Sequence, residues 1–291
     1  MTSPNDTKSN LSVVILTYNR SDALFAVLYG LTHQNIKPQE VIITDDGSTV
    51  HHRLAIKQHL AEHDWPFKIK YIWHPDIGFT AARARNQGVI NSSGDYIILL
   101  DGDCVPKEDF ILQHLFLKRP RCFINGSRVL LNKNLTKKVI ARPETIGLSS
   151  SYWLMQKITG QANKWIPTVM RIPHQCRRGS AVFHWKGIRS CNFSLWREDF
   201  DKVNGFDEMF VGWGHEDADF VWRLHQAGCR RINGFWATEV LHLWHKEASR
   251  DRESANVRRL QERMSDPNAG YVAKKGIREA GYDDCEIVYS K

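Results

Sequence analysis

The sequence predicts an α/β fold: a mostly parallel, twisted sheet flanked by helices, built as a single domain. Three observations carry that expectation. Apolar, β-branched runs alternate with helical patterns through the first 105 residues. Acidic clusters stand at the carboxyl ends of two of those runs, where open α/β sheets bind their ligands. The composition, 42% hydrophobic and 25% charged, suits a globular chain with a real core.

Residues 11–17 are a compact apolar run and read as a buried strand. A helix follows, opened by Ser21 or Asp22 as a cap and carrying Leu24, Leu28 and Leu31 on one face. Residues 40–44 are a second strand, broken by Asp45-Asp46-Gly47-Ser48. Residues 51–63 read as helix, 67–73 as extended, and 79–90 as a helix of small residues. A fourth strand, 95–100, runs directly into Asp101-Gly102-Asp103. Strands separated by helices imply right-handed crossovers and parallel pairing.

The pattern weakens over 132–179. Arg142-Pro143, the serines at 149–151 and Arg171, Arg177 and Arg178 predict a long basic loop with short helices. Residues 180–185 and 190–196 read as short strands, 215–227 as a helix, and 247–263 as helix-compatible. The domain expectation is a flexible N-terminus over 1–10 and one domain over 11–245. That domain divides into a first half (11–130), a basic mobile region (131–179) and a second half (180–245), with a helical tail over 246–291.

No apolar run approaches the roughly 20 residues of a membrane span, and residues 1–10 lack the apolar centre of a signal peptide, so a cytoplasmic location is expected. The six cysteines form no C-x-x-C pair, which predicts reduced thiols rather than a zinc knuckle or a disulfide framework. The net charge of +8 suits an anionic partner without choosing among nucleic acid, nucleotide phosphates and an acidic membrane face.

Asp101 and Asp103 lie two residues apart where a strand ends, so both can face one point, and Gly102 lets the backbone approach a ligand closely. Carboxylate oxygens suit Mg²⁺ or Mn²⁺, which bridge a diphosphate; a solvated turn has the same composition. Thr17-Tyr18-Asn19-Arg20 ends the first strand beside Asp46, where a ring and a carboxylate can stack on a base and accept its ring N–H. Arg85 offers its planar fork to a phosphate or to Asp101, or is a surface arginine.

Together, the 13–20 strand, Asp45-Asp46-Gly47-Ser48, the 78–88 segment and Asp101-Gly102-Asp103 resemble the donor half of family 2 glycosyltransferases of the GT-A fold. The resemblance implies that Asp46 holds uracil, Asp101 the ribose side and Asp103 the metal, with Thr17 and Tyr18 lining the nucleoside pocket. Further on, residues 204–208 and 210–220 (FVGWGHEDADF) resemble the acceptor segment shared by galactosyltransferases, polypeptide N-acetylgalactosaminyltransferases and bacterial chondroitin-type polymerases.

Glu216 and Asp217 occupy the first turn of a predicted helix, where free N–H groups and the dipole favour negative charge. A carboxylate kept ionised there can take the proton of an acceptor hydroxyl in the transition state. The resemblance implies Asp217 as the base and Glu216 as a hydrogen-bonding partner of the acceptor or donor sugar. Gly212 and Gly214 leave room around Trp213, whose ring can lie against a sugar face. Asp219 and Arg223, four apart, read as a surface ion pair. A neutral imidazole can complete the metal shell; His242 matches the family's ligand position better than His245. Asn192 matches the family stretch that contacts the donor sugar.

The resulting expectation is an inverting glycosyltransferase that moves a hexose or N-acetylhexosamine from a UDP-sugar to a glycan or lipid-linked acceptor in cell-surface polysaccharide synthesis. Its cofactor would be Mn²⁺ or Mg²⁺, and Arg171, Arg177 and Arg178 are expected to meet an anionic membrane surface or an anionic acceptor. A sugar-phosphate nucleotidyltransferase would carry a Gly-rich basic loop where this chain has Thr17-Tyr18-Asn19-Arg20. A nucleic-acid-binding module would show a basic face with interleaved aromatics, and no nucleic acid is expected as a partner.

Overall fold

The computed structural model describes residues 10–172, 179–180, 183, 185, 187–246 and 251–291. The expectations for residues 1–9, for Arg177 and Arg178 and for part of the 180–185 strand lie outside the described residues.

The first four strands are β1 (Leu11–Thr17), β2 (Glu40–Asp45), β3 (Lys68–Trp73) and β4 (Tyr96–Asp101). They are separated by helices α1 (Ser21–Thr32), α2 (Val50–Glu62) and α3 (Ala81–Ile90). All four strands pair in parallel, in the order β3-β2-β1-β4. Alternation of side chains divides the core into two layers. Val13, Ile15, Val41, Ile43, Ile98 and Leu100 point to one side, with Leu24, Leu28 and Leu31 of α1. Val14, Ile42, Ile97 and Leu99 point to the other, with Ala82 and Val89 of α3. Strands buried on both faces explain why these runs are continuously apolar. Gly88 brings α3 onto the sheet: a Cβ there would meet Val14 Cγ1 at 2.2 Å and Thr44 Cγ2 at 2.7 Å.

Beyond β4 come β5 (Cys104–Pro106), α4 (Phe110–Leu117), β6 (Cys122–Asn125), β7 (Arg128–Leu130) and α5 (Lys133–Ala141). A 3-10 turn, Pro143–Gly147, leads to α6 (Ser150–Ile158) and α7 (Ile166–Val169), so the 132–179 region holds the short helices expected of it. The chain continues through β8 (Gly179–Ser180), β9 (Asn192–Trp196), α8 (Arg197–Lys202), α9 (Glu216–Gln226), β10 (Arg230–Asn233) and β11 (Val240–His242). Helix α10 (Glu253–Ser265) and strand β12 (Glu286–Ser290) complete it. The main sheet runs β12-β3-β2-β1-β4-β9-β6-β10-β8, and a small sheet runs β5-β11-β7. Strand order reverses at β1, with β2 on one side and β4 on the other, so the switch point lies between the carboxyl ends of β1 and β4.

Two local expectations are corrected. Helix α1 begins at Ser21 with Arg20 in the capping position and no side-chain cap; the Ser21 hydroxyl bonds His52 Nδ1 at 2.9 Å instead. The helical tail over 246–291 is helical only through α10 among the described residues. After it the chain returns to the sheet, where β12 pairs antiparallel with β3, with Lys291 N–H donating to Ile69 O at 3.0 Å. Backbone pairing with β12 covers the edge of β3 that would otherwise be open, and Val288 and Tyr289 pack partly against the core.

Candidate functional site

Around the switch point, several expected nucleoside contacts already serve the fold. Asn19 adopts φ 50°; its N–H donates to Ser48 Oγ at 2.7 Å and its Oδ1 accepts Thr49 N–H at 2.9 Å. Arg20 pairs with Asp22 at 2.9 Å on the surface. Asp46 is buried: its carboxylate accepts Thr80 N–H at 2.9 Å and the Thr80 hydroxyl, and lies 3.3 Å from His74 Nε2. Burial works against charge on His74, but Asp46 raises its pKa above the ordinary value. Asp46 thus pins the segment that begins α3, and its two hydrogen bonds from Thr80 take about half of a carboxylate's lone-pair positions. Two groups remain available. The Thr17 hydroxyl is buried with no hydrogen-bond partner among the described residues. Tyr18 is 47% exposed, with its hydroxyl donating to Asp76 at 2.9 Å. Gly102 N–H donates to Leu16 O at 2.7 Å, closing β4 against β1.

Arg85 joins the two halves of the chain. It is buried, and its guanidinium contacts Asp101 Oδ1 at 3.0 Å and Glu216 Oε1 at 3.5 Å. Burial opposes its charge, but Asp101, Asp217 and Glu216 hold it firmly protonated. Of the readings open for Arg85, this geometry matches the one toward Asp101. Glu216 departs from the expectation of a fully ionised helix N-terminus. Burial, reinforced by neighbouring Asp217, pushes its carboxyl up to about 7, against the opposing pull of Arg85. Removal from water outweighs the helix dipole here.

Asp217, the next residue, accepts Ser190 N–H at Oδ2 over 3.0 Å, while its Oδ1 is covered and has no hydrogen-bond partner among the described residues. A buried carboxylate oxygen without a donor is costly, and an arriving hydroxyl would satisfy it. The backbone before α9 is turned by left-handed residues: Gly212 at φ 84°, Gly214 at φ 100° and His215 at φ 71°. Trp213 is half-buried between them. Asn256 of α10 holds this turn by donating to Gly214 O at 3.0 Å and Val211 O at 3.3 Å.

The small sheet brings Asp103 to the histidines. β11 pairs antiparallel with β5, setting His242 opposite Cys104, and Leu243 N–H donates to Asp103 O at 2.9 Å. Asp103 Oδ2 lies 3.1 Å from His245 Nε2 and 3.8 Å from His242 Nε2, and one ligand atom from each residue falls within 4.8 Å of the others. His245 is therefore the nearer partner, and both histidines join the cluster. Burial lowers His242 to about 4, which keeps its imidazole neutral. His245 Nδ1 donates to Lys246 O at 2.8 Å, so Nε2 of the neutral ring carries the free lone pair. A carboxylate with two imidazole nitrogens fits a divalent ion, and the nitrogen donors favour Mn²⁺ over Mg²⁺.

Two sequence expectations give way. Asn192 is 1% exposed, and its amide donates to Ser127 O at 2.9 Å and to Thr238 O while its Oδ1 faces His114 Nε2 at 3.1 Å. It ties β9 to the loops around it and has no free edge for a sugar. Asp219–Arg223 is no surface pair: both side chains are fully buried, 2.8 Å apart, and Arg263 of α10 joins Asp219 to Asp207 at 2.6 Å. Arg171 is also committed, chelating Asp109 at 2.7 and 2.8 Å. Thr80, His74, Ser190 and Arg263 were not anticipated. Each acts on a carboxylate of a recognisable motif, Asp46, Asp207, Asp217 or Asp219, from a position distant in sequence that carries no local signal of its own.

The sequence model of glycosyl transferase family 2 matches residues 12–177, and that described as the N-terminal domain of galactosyltransferase matches residues 174–246. Chondroitin synthase of Pasteurella multocida (strain Pm70) is 29% identical over 250 residues, covering 79% of this chain and 25% of the relative. Validoxylamine A glucosyltransferase of Streptomyces hygroscopicus subsp. limoneus is 28% identical over 260 residues, covering 86% of this chain and 54% of its own. The chain thus spans between a quarter and about half the length of these curated relatives. Among solved structures, a mannosyltransferase from Pyrobaculum calidifontis in complex with GDP-Man and Mn²⁺ superposes with a TM-score of 0.58 at 16% identity, covering 92% of this chain and 68% of that one. GalNAc-T7 with UDP, GalNAc and Mn²⁺ gives 0.60 at 16% identity, covering 87% and 48%. These likenesses establish the shared GT-A fold. With the first family model spanning more than half of its residues, the chain belongs to glycosyl transferase family 2.

Proposed function

We propose that this chain is a metal-dependent, inverting glycosyltransferase acting on a nucleotide-sugar donor, a UDP-sugar by preference, and a glycan or lipid-linked acceptor in polysaccharide synthesis. The observation that carries this reading is the convergence on one switch point of Asp217, Glu216, Arg85, Asp101 and the Asp103–His242–His245 cluster. The related chondroitin synthase and validoxylamine A glucosyltransferase lend it support, as do the two solved neighbours, one in complex with GDP-Man and Mn²⁺ and the other with UDP, GalNAc and Mn²⁺.

Asp217 is assigned as the base, because its Oδ1 lacks a donor and its Oδ2 is oriented by Ser190. Glu216, held beside it by Arg85, binds a sugar hydroxyl and in its protonated form donates to it. Thr17 and Tyr18 line the nucleoside side, Asp101 faces the ribose, and Trp213 with Gly214 borders the sugars. Asp103, His242 and His245 would hold the ion, which when bound supplies charge stabilisation for a leaving diphosphate.

The test is a screen of UDP-sugars with Mn²⁺, reading release of UDP and transfer to saccharide acceptors. One UDP-sugar should stand out, and Asp103→Ala should lose turnover and Mn²⁺ affinity while keeping its melting profile. Metal-independent turnover, or none with any nucleotide sugar, would reject the reading.

A second contact, with an anionic membrane, is favoured by a different observation. The exposed faces of α6 and α7, which adjoin each other, carry Leu154, Met155, Ile158, Ile166 and Val169 at the surface. Among the described residues no helix is long and apolar enough to cross a membrane, so the contact proposed is peripheral.

A further inference from the structure

A cavity of about 220 Å³ opens between β7, the end of β10 and the segment leading to β9. It holds about fifteen times the space one ordered water needs, enough for a sugar ring. Four cations line it, Arg128, Lys164, Arg189 and Arg231, together with Asn125 and Phe235, and no carboxylate is among its described lining residues. Arg128 Nε is buried and has no hydrogen-bond partner among the described residues. The Lys164 ammonium donates to Arg128 O at 3.0 Å and lies 5.1 Å from the Phe235 ring centroid. Burial lowers the Lys164 pKa, and Arg189 and Arg128 lower it further, while Glu239 offsets part of that effect. Glu239 itself accepts Trp236 N–H. The cavity therefore carries an excess of positive charge beside an aromatic edge.

Its position ties it to the reaction. Arg128 pairs in register with Val240, and two residues further along the same pair of strands Leu130 pairs with His242. Arg189 precedes Ser190, whose N–H holds Asp217. From this arrangement the geometry points to a subsite for an anionic sugar, one bearing a carboxylate or a phosphate, beside the transfer centre. The forked guanidinium groups suit either anion, and the Phe235 ring suits the apolar face of a pyranose. That anionic sugar belongs either to the donor or to the acceptor. The subsite's relation to catalysis rests on the proposed transferase activity; its binding chemistry does not.

The test therefore has a binding arm and a turnover arm, both on the full chain. In the first, titration calorimetry compares methyl glucuronide, methyl glucoside 6-phosphate, neutral methyl glucoside and inorganic phosphate. The anionic sugars should bind at least about tenfold more tightly than the neutral one and than phosphate alone, given the strength of charged hydrogen bonds. Arg189→Gln, at an exposed position, and Arg128→Gln, verified by melting, should each collapse that ratio. Equal binding of all four probes overturns the proposal, as does a preference that both folded variants retain, or phosphate binding as tightly as the sugars. In the second arm, UDP-glucuronate is compared with UDP-glucose, and uronate-terminated acceptors with carboxyl-reduced ones. Selectivity among donors places the anion on the donor, and selectivity among acceptors places it on the acceptor. No selectivity in either, in an active protein, overturns the link to the reaction. An inactive protein that still binds anionic sugars would instead reject the transferase reading alone.

Discussion

At the scale of single residues, Glu216 and Asp217 are neighbours in sequence with opposite environments. Asp217 keeps an oxygen without a donor, and Glu216 is buried, paired with Arg85 and raised to about 7. Asp217→Asn preserves shape but cannot take a proton, so kcat should fall by about 10²- to 10⁴-fold while UDP affinity holds. Glu216→Gln should raise the acceptor KM more than it lowers kcat, and steady-state kinetics on both variants distinguishes the roles. Glu216 also predicts a pH signature in stability. Its folded pKa lies above the ordinary 4.5, so the native state binds more protons than the unfolded state between about 4.5 and 7. Its contribution is fully present below that window and is lost as pH rises through it. Without added metal, Glu216→Gln should therefore gain stability relative to the parent as pH rises from 5 to 8, as melting curves would register. A constant difference across that range would contradict the raised pKa. The pair itself was legible because it stands in a distinctive acceptor-like motif. Its inequality was not, since the burial that raises Glu216, like the opposing contact with Arg85 131 residues away, is made by the tertiary fold and leaves no local trace. The same limit applies to Asn192, whose saturation by Ser127 and Thr238 makes it part of the scaffold.

At the scale of elements, strands β1, β2 and β4 could be read almost to the residue, because burial on both faces writes itself as a largely apolar run, and β3, interrupted by Lys68 and Lys70, could still be read as extended. Helix α9 was equally readable, but not its surroundings. An i,i+4 pair such as Asp219–Arg223 looks the same in sequence whether exposed or buried. What buries it is α10, whose Arg263 reaches both Asp219 and Asp207. Asp207 additionally accepts Lys274 N–H at 3.1 Å, and hydrogen bonds and Arg263 hold its carboxyl below the usual range despite burial. Removing Arg263 leaves two buried carboxylates with one cation between them. Arg263→Ala should cost on the order of 3–5 kcal/mol, the range for breaking a buried pair. Denaturant unfolding measures this directly, and a loss below about 1 kcal/mol would mean that water replaces the guanidinium. Because Asn256 of the same helix holds the turn containing Gly214, the destabilised variant should also bind acceptor more weakly. The small sheet was similarly hidden: three-residue strands carry no periodicity, yet β5 and β11 set Asp103 against both histidines.

At the scale of the whole molecule, the net charge of +8 is unevenly placed. Part of it lines the cavity beside β7, and another part falls in the stretch of chain that carries the exposed apolar helices α6 and α7. From 133 to 164 the chain carries Lys133, Lys137, Lys138, Arg142, Lys157 and Lys164 against the single acid Glu144. In the same stretch Ile158 is 68% exposed on α6, beside Leu154 and Met155, and Met170 is exposed just past α7. Exposed apolar side chains in a lysine-rich stretch of chain suit an anionic bilayer, where each cation near the headgroups adds about 1 kcal/mol and the apolar groups enter the interface. Arg171 is held by its bidentate pairing with Asp109, and Arg177 and Arg178 lie outside the described residues, so the proposed membrane contact rests on α6 and α7. Vesicles of phosphatidylcholine with phosphatidylglycerol should co-sediment with the protein at low salt and release most of it as salt rises. Ile158→Glu combined with Met170→Glu changes two exposed positions and should leave the melting temperature in place while abolishing vesicle binding. Salt should weaken binding and the double substitution should remove it, because the first screens only the lysines and the second blocks insertion. If the double variant still binds vesicles, the charges alone make the contact and the apolar face has another use. If it instead converts a self-associated protein to a monomer, that face meets a second copy of the chain rather than lipid.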